Sequence, residues 1–354
     1  MNELQTILED SAIRLFDSLV HPSLLEEAEN GTWHSDLWKI IEEHGFADAL
    51  TPESTDGYGE SWHDAYFIVR AAGRYRLPVP LPETMLARWL LSRSGIDMPT
   101  RPLTVARPGP ELRLARHNGG WRLSGTVSRA PWGRMAHTVV LTFVEDGTVS
   151  IVSSPIAGAE IHRGTNLAGE CRDTLVFSNH PVEVATWRDV SWMPEAGVLG
   201  AMLRSAQIAG GLSGIVELAV TYANDRQQFG RPIGKFQAVQ QNLAVLASEA
   251  AAAGVAAEAA FRAADRHEPS FLAAAAKVRA AEAATKGAAI AHQVHGAIGF
   301  TREYPLHWIT RRLAAWRSEF GGEREWAIHL GQRVMKAGAD GFWAELTSQM
   351  KEAR

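Results

Sequence analysis

Three kinds of hydrophobic patterning succeed one another along the chain. Through residue 102, apolar positions recur at helical spacing, as in Leu15/Leu19 and Leu37/Ile41, and turn-forming clusters break the runs. Pro52-Glu53-Ser54-Thr55-Asp56-Gly57-Tyr58-Gly59 reads as a loop. Pro78-Val79-Pro80-Leu81-Pro82 reads as an extended connector ahead of a helix from Glu83 to Ser94. From 103 to 188 the period shortens to that of strands. Trp121-Arg122-Leu123-Ser124-Gly125 alternates after a His117-Asn118-Gly119-Gly120 turn, and Glu145-Asp146-Gly147 folds Thr138–Val144 back onto Thr148–Val152. Short strands on tight turns predict a small antiparallel barrel or sandwich.

Beyond Pro194 the pattern is helical again. Leu212, Ile215, Val216, Ala219, Tyr222 and Ala223 fall on one stripe, and the Gly- and Pro-bearing segment Asp225–Gly234 then interrupts it. Two Ala-rich helices, over 238–266 and 270–295, follow. Alanine lets helix axes approach closely, so an antiparallel bundle is the expected packing. The domains predicted are therefore 1–102 helical, 103–188 β and 189–354 a helical bundle.

Composition narrows the function classes. A hydrophobic fraction of 46% over 354 residues suffices for a large globular core. Net charge is only −5 with no sustained basic run, which disfavours nucleic acid and leaves room for a local basic pocket. Cys171 is the sole cysteine, excluding intramolecular disulfides and all-cysteine metal sites, and no His/Asp/Glu cluster has metal-ligand spacing. No signal-peptide pattern opens the sequence, and charges interrupt the Ala-rich stretches before the ~20 apolar residues of a membrane span. A cytoplasmic protein without a membrane span is expected.

Two glycine-bearing segments could carry chemistry. Asn224-Asp225-Arg226-Gln227-Gln228-Phe229-Gly230-Arg231-Pro232-Ile233-Gly234, followed by Phe236-Gln237, sets a permanent cation and an aromatic between two helices. An arginine fork suits phosphate oxygens and an aromatic suits a purine or flavin, although a helix stop with a dipole-complementing arginine has the same look. Gln293-Val294-His295-Gly296-Ala297-Ile298-Gly299-Phe300-Thr301 closes a long helix. Its glycines would let backbone N–H groups approach a phosphate or ring, but the spacing is not that of a Rossmann fingerprint. His295 reads there as a cap on helix-end carbonyls or, less commonly for such a position, as a ligand-facing group titrating near neutral pH.

In this order the two segments resemble the acyl-CoA dehydrogenase family. Asp225-Arg226, Phe229-Gly230 and Gln237 match the first family motif. Gln293, Gly296-Ala297-Ile298-Gly299-Phe300 and Glu303-Tyr304-Pro305 match the second, with Ala297 replacing a glycine. The fold implied is mainly α with a central β-domain: an N-terminal helical domain, a small antiparallel β-barrel and a C-terminal four-helix bundle. The resemblance implies FAD, with Arg226, Phe229 and Gln237 reaching the pyrophosphate and adenosine of a neighbouring protomer's cofactor and Gln293 and Gly296 lining it. It further implies α,β-desaturation of an acyl-CoA thioester, commonly by tetramers, with electron-transfer flavoprotein or a similar acceptor.

Several departures mark the chain as a short, divergent member. Counting on from Glu303-Tyr304-Pro305, the family's catalytic Glu falls on Phe320, with Glu319 just before it, and Gly322 and Arg324 replace the following Thr and Gln. An alternative base on the preceding long helix would fall near Gly200, where no carboxylate lies between Glu195 and Glu217. Glu319 is the remaining candidate base. The family's Thr-Glu-Pro-Gly segment has no counterpart, and Ser128-Arg129-Ala130-Pro131-Trp132-Gly133-Arg134 replaces its Trp-Ile-Thr-Asn stretch. Trp132 could cover the isoalloxazine face or belong to the barrel core. The expected function is an FAD-dependent acyl-CoA dehydrogenase of fatty-acid or steroid side-chain degradation, as a homo-oligomer. The alternatives are a partner subunit of a heteromeric dehydrogenase, lacking its own base, and a flavin-dependent monooxygenase on the same fold.

Overall fold

A computed structural model describes residues 3–351 apart from 56, 60, 190, 191 and 193, with side chains to residue 344. Asp56 of the predicted 52–59 loop thus lies outside the described residues. Helices α1 (Glu3–Leu19), α2 (Pro22–Glu29), α3 (Ser35–Glu43), α4 (Trp62–Arg74) and α5 (Leu81–Ser94) come first. Leu37 and Ile41 are buried as their spacing predicts. α5 begins at Leu81, ahead of the predicted Glu83, because proline is tolerated in a first turn whose N–H groups have no helical acceptor. Every residue from Leu81 to Leu91 is buried, so α5 forms the centre of this part rather than a surface helix.

Strands β1 (Leu103–Val105), β2 (Arg113–His117), β3 (Gly120–Pro131), β4 (Thr138–Glu145), β5 (Thr148–Pro155), β6 (Glu160–His162) and β7 (Arg172–Thr186) follow. They form one sheet in the order β1-β4-β5-β7-β3-β2, with β6 also on β7. β7 is long enough to pair with both β3 and β5, so the sheet folds around a core that includes Leu123, Val139, Val152 and Leu175. One pairing departs from the antiparallel expectation: β1 lies parallel to β4, Thr104 opposite Val139. Such a parallel pair needs a long crossover, here the whole β2–β3 hairpin.

The remainder is helical: α6 (Ala196–Asp225), α7 (Gln237–Asp265), α8 (Pro269–His295), α9 (Leu306–Trp316) and α10 (Glu323–Lys351), with a kink at Gly338 in α10. A two-residue hairpin of β8 (Gln227–Gln228) and β9 (Arg231–Pro232) joins α6 to α7. By length and composition α7 is the one described helix that could cross a membrane, yet it packs in the bundle against α6 and α8. α6 crosses α4 so closely that a Cβ at Gly73 would lie 2.1 Å from the Gln207 carbonyl oxygen, and one at Gly210 1.9 Å from that of Arg70. Asp265 at the end of α7 accepts the Trp62 and His63 backbone N–H groups at 2.6 and 3.1 Å, capping α4 from the bundle. α6 is thereby fixed against the N-terminal helices with its first turns facing the β-domain.

Candidate functional site

Two regions bear on the chemistry. In the first, α6 stops because Arg226 turns extended (φ −71°, ψ 117°), and Phe229 and Gly230 both take positive φ to reverse the chain. Phe229 is 92% exposed, its ring edge-on to Phe236 at 6.0 Å. Arg226 and Gln237 are exposed beside it in sequence, as are Gln293 and Gly296 (φ +63°) at the end of α8.

The two turns are clamped together beneath their exposed residues. Tyr222, one turn before Arg226, stacks on His295 at 4.6 Å. His295 Nδ1 lies 2.7 Å from the Ala291 carbonyl, which can only accept, so Nδ1 carries the proton and Nε2 accepts from the Tyr304 hydroxyl at 3.1 Å. Burial lowers the His295 pKa, outweighing its backbone contacts, and keeps the ring neutral. His295 is thus the carbonyl cap expected of a helix-end histidine.

In the second region, the turn between α9 and α10 meets α6 and the β-domain. The structure places Glu319 here, buried, with both oxygens engaged. Arg172 of β7 donates from Nε to Oε1 at 2.7 Å and from Nη2 to Oε2 at 3.0 Å. Arg204 of α6 donates to Oε2 at 2.7 Å and Asn166 to Oε1 at 3.0 Å. The network continues from Arg204 to Glu83 of α5 at 2.5 Å and to Gln207, and from Arg172 to Glu170 at 2.9 Å. Glu170 in turn accepts the Trp316 indole N–H at 3.0 Å and stands 3.2 Å from Arg312. Burial alone would raise the pKa of Glu319, but the two guanidiniums hold it well below the usual carboxylate range. A general base must be poised near the working pH, and a carboxylate so stabilised is not. This is the physical difficulty with Glu319 as a proton acceptor.

Phe320 follows at φ +54°, its ring lying on the α6 backbone: a Cβ at Gly200 would fall 2.2 Å from Phe320 Cδ1. The two positions at which the family resemblance puts a base, 320 and near 200, therefore do meet in space. They carry a phenyl ring and no side chain. The cleft left beside them, between Ala106, Arg107, Arg129, Pro131, Glu319 and Phe320, holds about 170 Å³. Small-molecule sites span roughly 300–1,000 Å³. The exposed Arg226–Gln237 and Gln293–Gly296 edge carries residue types that would contact the phosphate and adenosine end of FAD, and the cleft beside Phe320 is smaller than a pocket that encloses a whole ligand.

Trp132 lies outside the cleft lining and outside the apolar core of the β-domain. It is buried at positive φ, its N–H donates to the Cys171 carbonyl at 2.9 Å, and its carbonyl accepts from Met135 and Ala136, each at 2.8 Å. Its ring faces the Arg172 guanidinium at 5.9 Å, away from the cleft lining, where Arg129 stands instead. The charged network itself escaped the sequence reading. One signal could have found it: Arg204 is the sole charge in α6 between Glu195 and Glu217, and a charge among apolar residues on a buried helix needs a buried partner.

Comparison with known proteins places this architecture. The family model for the acyl-CoA dehydrogenase C-terminal domain matches residues 198–335. Acyl-CoA dehydrogenase IpdE2 of Mycobacterium tuberculosis is 27% identical over 292 residues, 80% of this chain and 82% of that protein. The 3-sulfinopropanoyl-CoA desulfinase of Paraburkholderia xenovorans is 26% identical over 360 residues, 88% and 90% of the two chains. Among solved structures, the ChsE4-ChsE5 complex from Mycobacterium tuberculosis superposes with a TM-score of 0.86 at 22% identity, covering 96% of this chain and 99% of that one.

Proposed function

Because the chain belongs to the acyl-CoA dehydrogenase family of FAD-dependent oxidoreductases, we propose that it is the base-lacking subunit of a heteromeric acyl-CoA dehydrogenase. The observation that carries this reading is Glu319 locked between Arg172 and Arg204, with the Phe320 ring on Gly200. An unlike subunit removes the α-proton of an acyl-CoA thioester with its own carboxylate. FAD, when bound, accepts the β-hydrogen as hydride. This chain contributes Arg226 and Phe229 to the phosphate and adenosine end of the neighbour's FAD, with Gln237, Gln293 and Gly296 beside them. A solved two-chain relative, the ChsE4-ChsE5 complex, makes unlike pairing a natural arrangement for this fold. The substrate class is an acyl-CoA from fatty-acid or steroid side-chain degradation, the electrons pass to electron-transfer flavoprotein or a similar acceptor, and the reaction takes place in the cytoplasm. Segments 1–102, 103–188 and 189–354 are the three domains in this reading.

Expression alone and together with an unlike acyl-CoA dehydrogenase chain encoded nearby tests it. The expected outcome is a chain that is colourless or poorly folded alone and forms, with its partner, a yellow complex holding fewer FAD than chains. That complex reduces an artificial acceptor with acyl-CoA, and Glu319→Gln leaves its turnover within about twofold. The proposal is sunk by a homo-oligomer holding one FAD per chain whose turnover falls about 100-fold or more in Glu319→Gln, the loss expected for a general base.

A further inference from the structure

The cleft beside Phe320 holds about 170 Å³, and its wall is unusual in charge and backbone. β3 slips register against β7 between Val127 and Ala130, leaving Ser128 and Arg129 in the bulge. Arg129 stands at φ +55°, a conformation that L side chains rarely adopt, and it lines the cleft. Bulges and strained residues of this kind re-aim a side chain at a ligand. Among the described residues no carboxylate pairs with Arg129. Glu319, the acid in the cleft wall, has both oxygens consumed by Arg172, Arg204 and Asn166 and offers it nothing.

The second cation of the wall is Arg107. Its partner is Glu325 at 2.7 Å, with the two side chains 44% and 52% exposed. Exposed pairs of this kind contribute little and exchange readily. The Ser128 hydroxyl adds a donor, whereas Ser318 already gives its proton to the Ala315 carbonyl at 2.9 Å and adds none. Two guanidiniums and a hydroxyl offer more donors than the two oxygens of a carboxylate use, and match the three or four oxygens of a phosphoryl group. The volume, about 170 Å³, is that of about five or six waters at ~30 Å³ each.

We propose that this cleft is a small-anion site taking inorganic phosphate or the phosphate of a monoester, with Arg129 as the principal ligand and Arg107 as the second. It rests on the lining of the cleft and not on unlike-subunit assembly.

The test follows the melting temperature of the purified protein, in whichever assembly it is isolated, as inorganic phosphate replaces chloride at constant ionic strength. A saturable rise with phosphate is expected. Arg129→Gly should melt higher than the parent without phosphate, because glycine takes positive φ without strain, and should lose the phosphate response. Glu325→Gln, which frees Arg107, should tighten apparent phosphate binding about two- to fivefold. CoA and dephospho-CoA, compared in the parent and in Arg129→Gly, distinguish the sources. An Arg129-dependent preference for CoA identifies the nucleotide's 3′-phosphate as the occupant, and its absence alongside a phosphate response identifies a free phosphate. A rise that never saturates, or one equal in parent and Arg129→Gly, overturns the site. Neither outcome touches the subunit reading, which is decided by FAD content and turnover.

Discussion

At the scale of single residues, the centre of this molecule is a carboxylate held between two guanidiniums. Glu319 is 7% exposed, Arg172 4% and Arg204 1%, so the pairs are desolvated and depend on one another. Removing one partner of a buried pair leaves the other charge uncompensated, at a cost of about 3–5 kcal/mol. Arg204→Met should therefore lower the urea-unfolding free energy by about that much, since Glu83 and Glu319 both lose a guanidinium. Adding Glu319→Gln to Arg204→Met should recover part of the loss, a coupling that a double-mutant cycle reads directly. Strictly additive losses would show that the network does not act as a unit. The pH dependence has a definite sign. Glu319's folded pKa lies below its ordinary value, so its contribution is complete above the unfolded pKa and fades as pH falls through the folded one. In the sequence only the lone charge of Arg204 on an apolar helix pointed to this network, because its partners come from β7, α5 and the α9–α10 turn and no spacing links them.

Among the elements, the turn between α9 and α10 decides what occupies the cleft, and one buried lysine holds it. Lys277 of α8 donates from Nζ to the carbonyls of Trp316, Arg317 and Gly321 at 3.2, 2.7 and 2.9 Å. Burial, only partly offset by Glu319, lowers its pKa from 10.5 to about 7. Between those two values the unfolded chain binds a proton that the folded chain does not, so folding stability should rise with pH across that window. Lys277→Met removes the titrating group and should flatten that rise while lowering stability most below pH 7, where the ammonium's three N–H groups serve all three carbonyls. Melting curves taken from pH 7 to 10 on both proteins check this, and an unchanged slope in Lys277→Met would refute it. The elements themselves were largely readable. The stripe Leu212, Ile215, Ala219 and Ala223 is buried in α6, and α7 and α8 start and stop within a residue of where the Ala-rich runs do. The parallel β1–β4 pair was not readable, since strand partners are set by tertiary packing across the intervening hairpin and three residues of β1 carry no directional signal.

For the whole molecule, the residues that resemble a cofactor site and those that would carry out the reaction have come apart. The motifs were legible because they are local: each lies on one turn, and Tyr222, His295 and Tyr304 bring the two turns together. The closure of the reacting end was legible only as an absence, a Phe and a Gly where acids were expected, until the fold put Phe320 on Gly200. A 92% exposed Phe229, edge-on to Phe236 alone, and an exposed Arg226 add little stability within their own chain. Replacing either with alanine should then change this chain's unfolding free energy by no more than about 0.5 kcal/mol, as for ordinary surface positions. In the unlike-subunit assembly proposed above, Arg226→Ala should remove a charge-assisted contact worth about 1.5–3 kcal/mol, weakening FAD retention about ten- to a hundredfold. Equilibrium dialysis of the flavin against the complex, beside urea unfolding of the variant, separates the two quantities. If Arg226→Ala weakens the fold as much as it weakens FAD retention, the arginine is a helix-end brace for α6 and the shared-cofactor assignment of this edge fails. If retention falls alone, the edge belongs to the neighbour's cofactor, and the exposure of Phe229 is explained by what it covers.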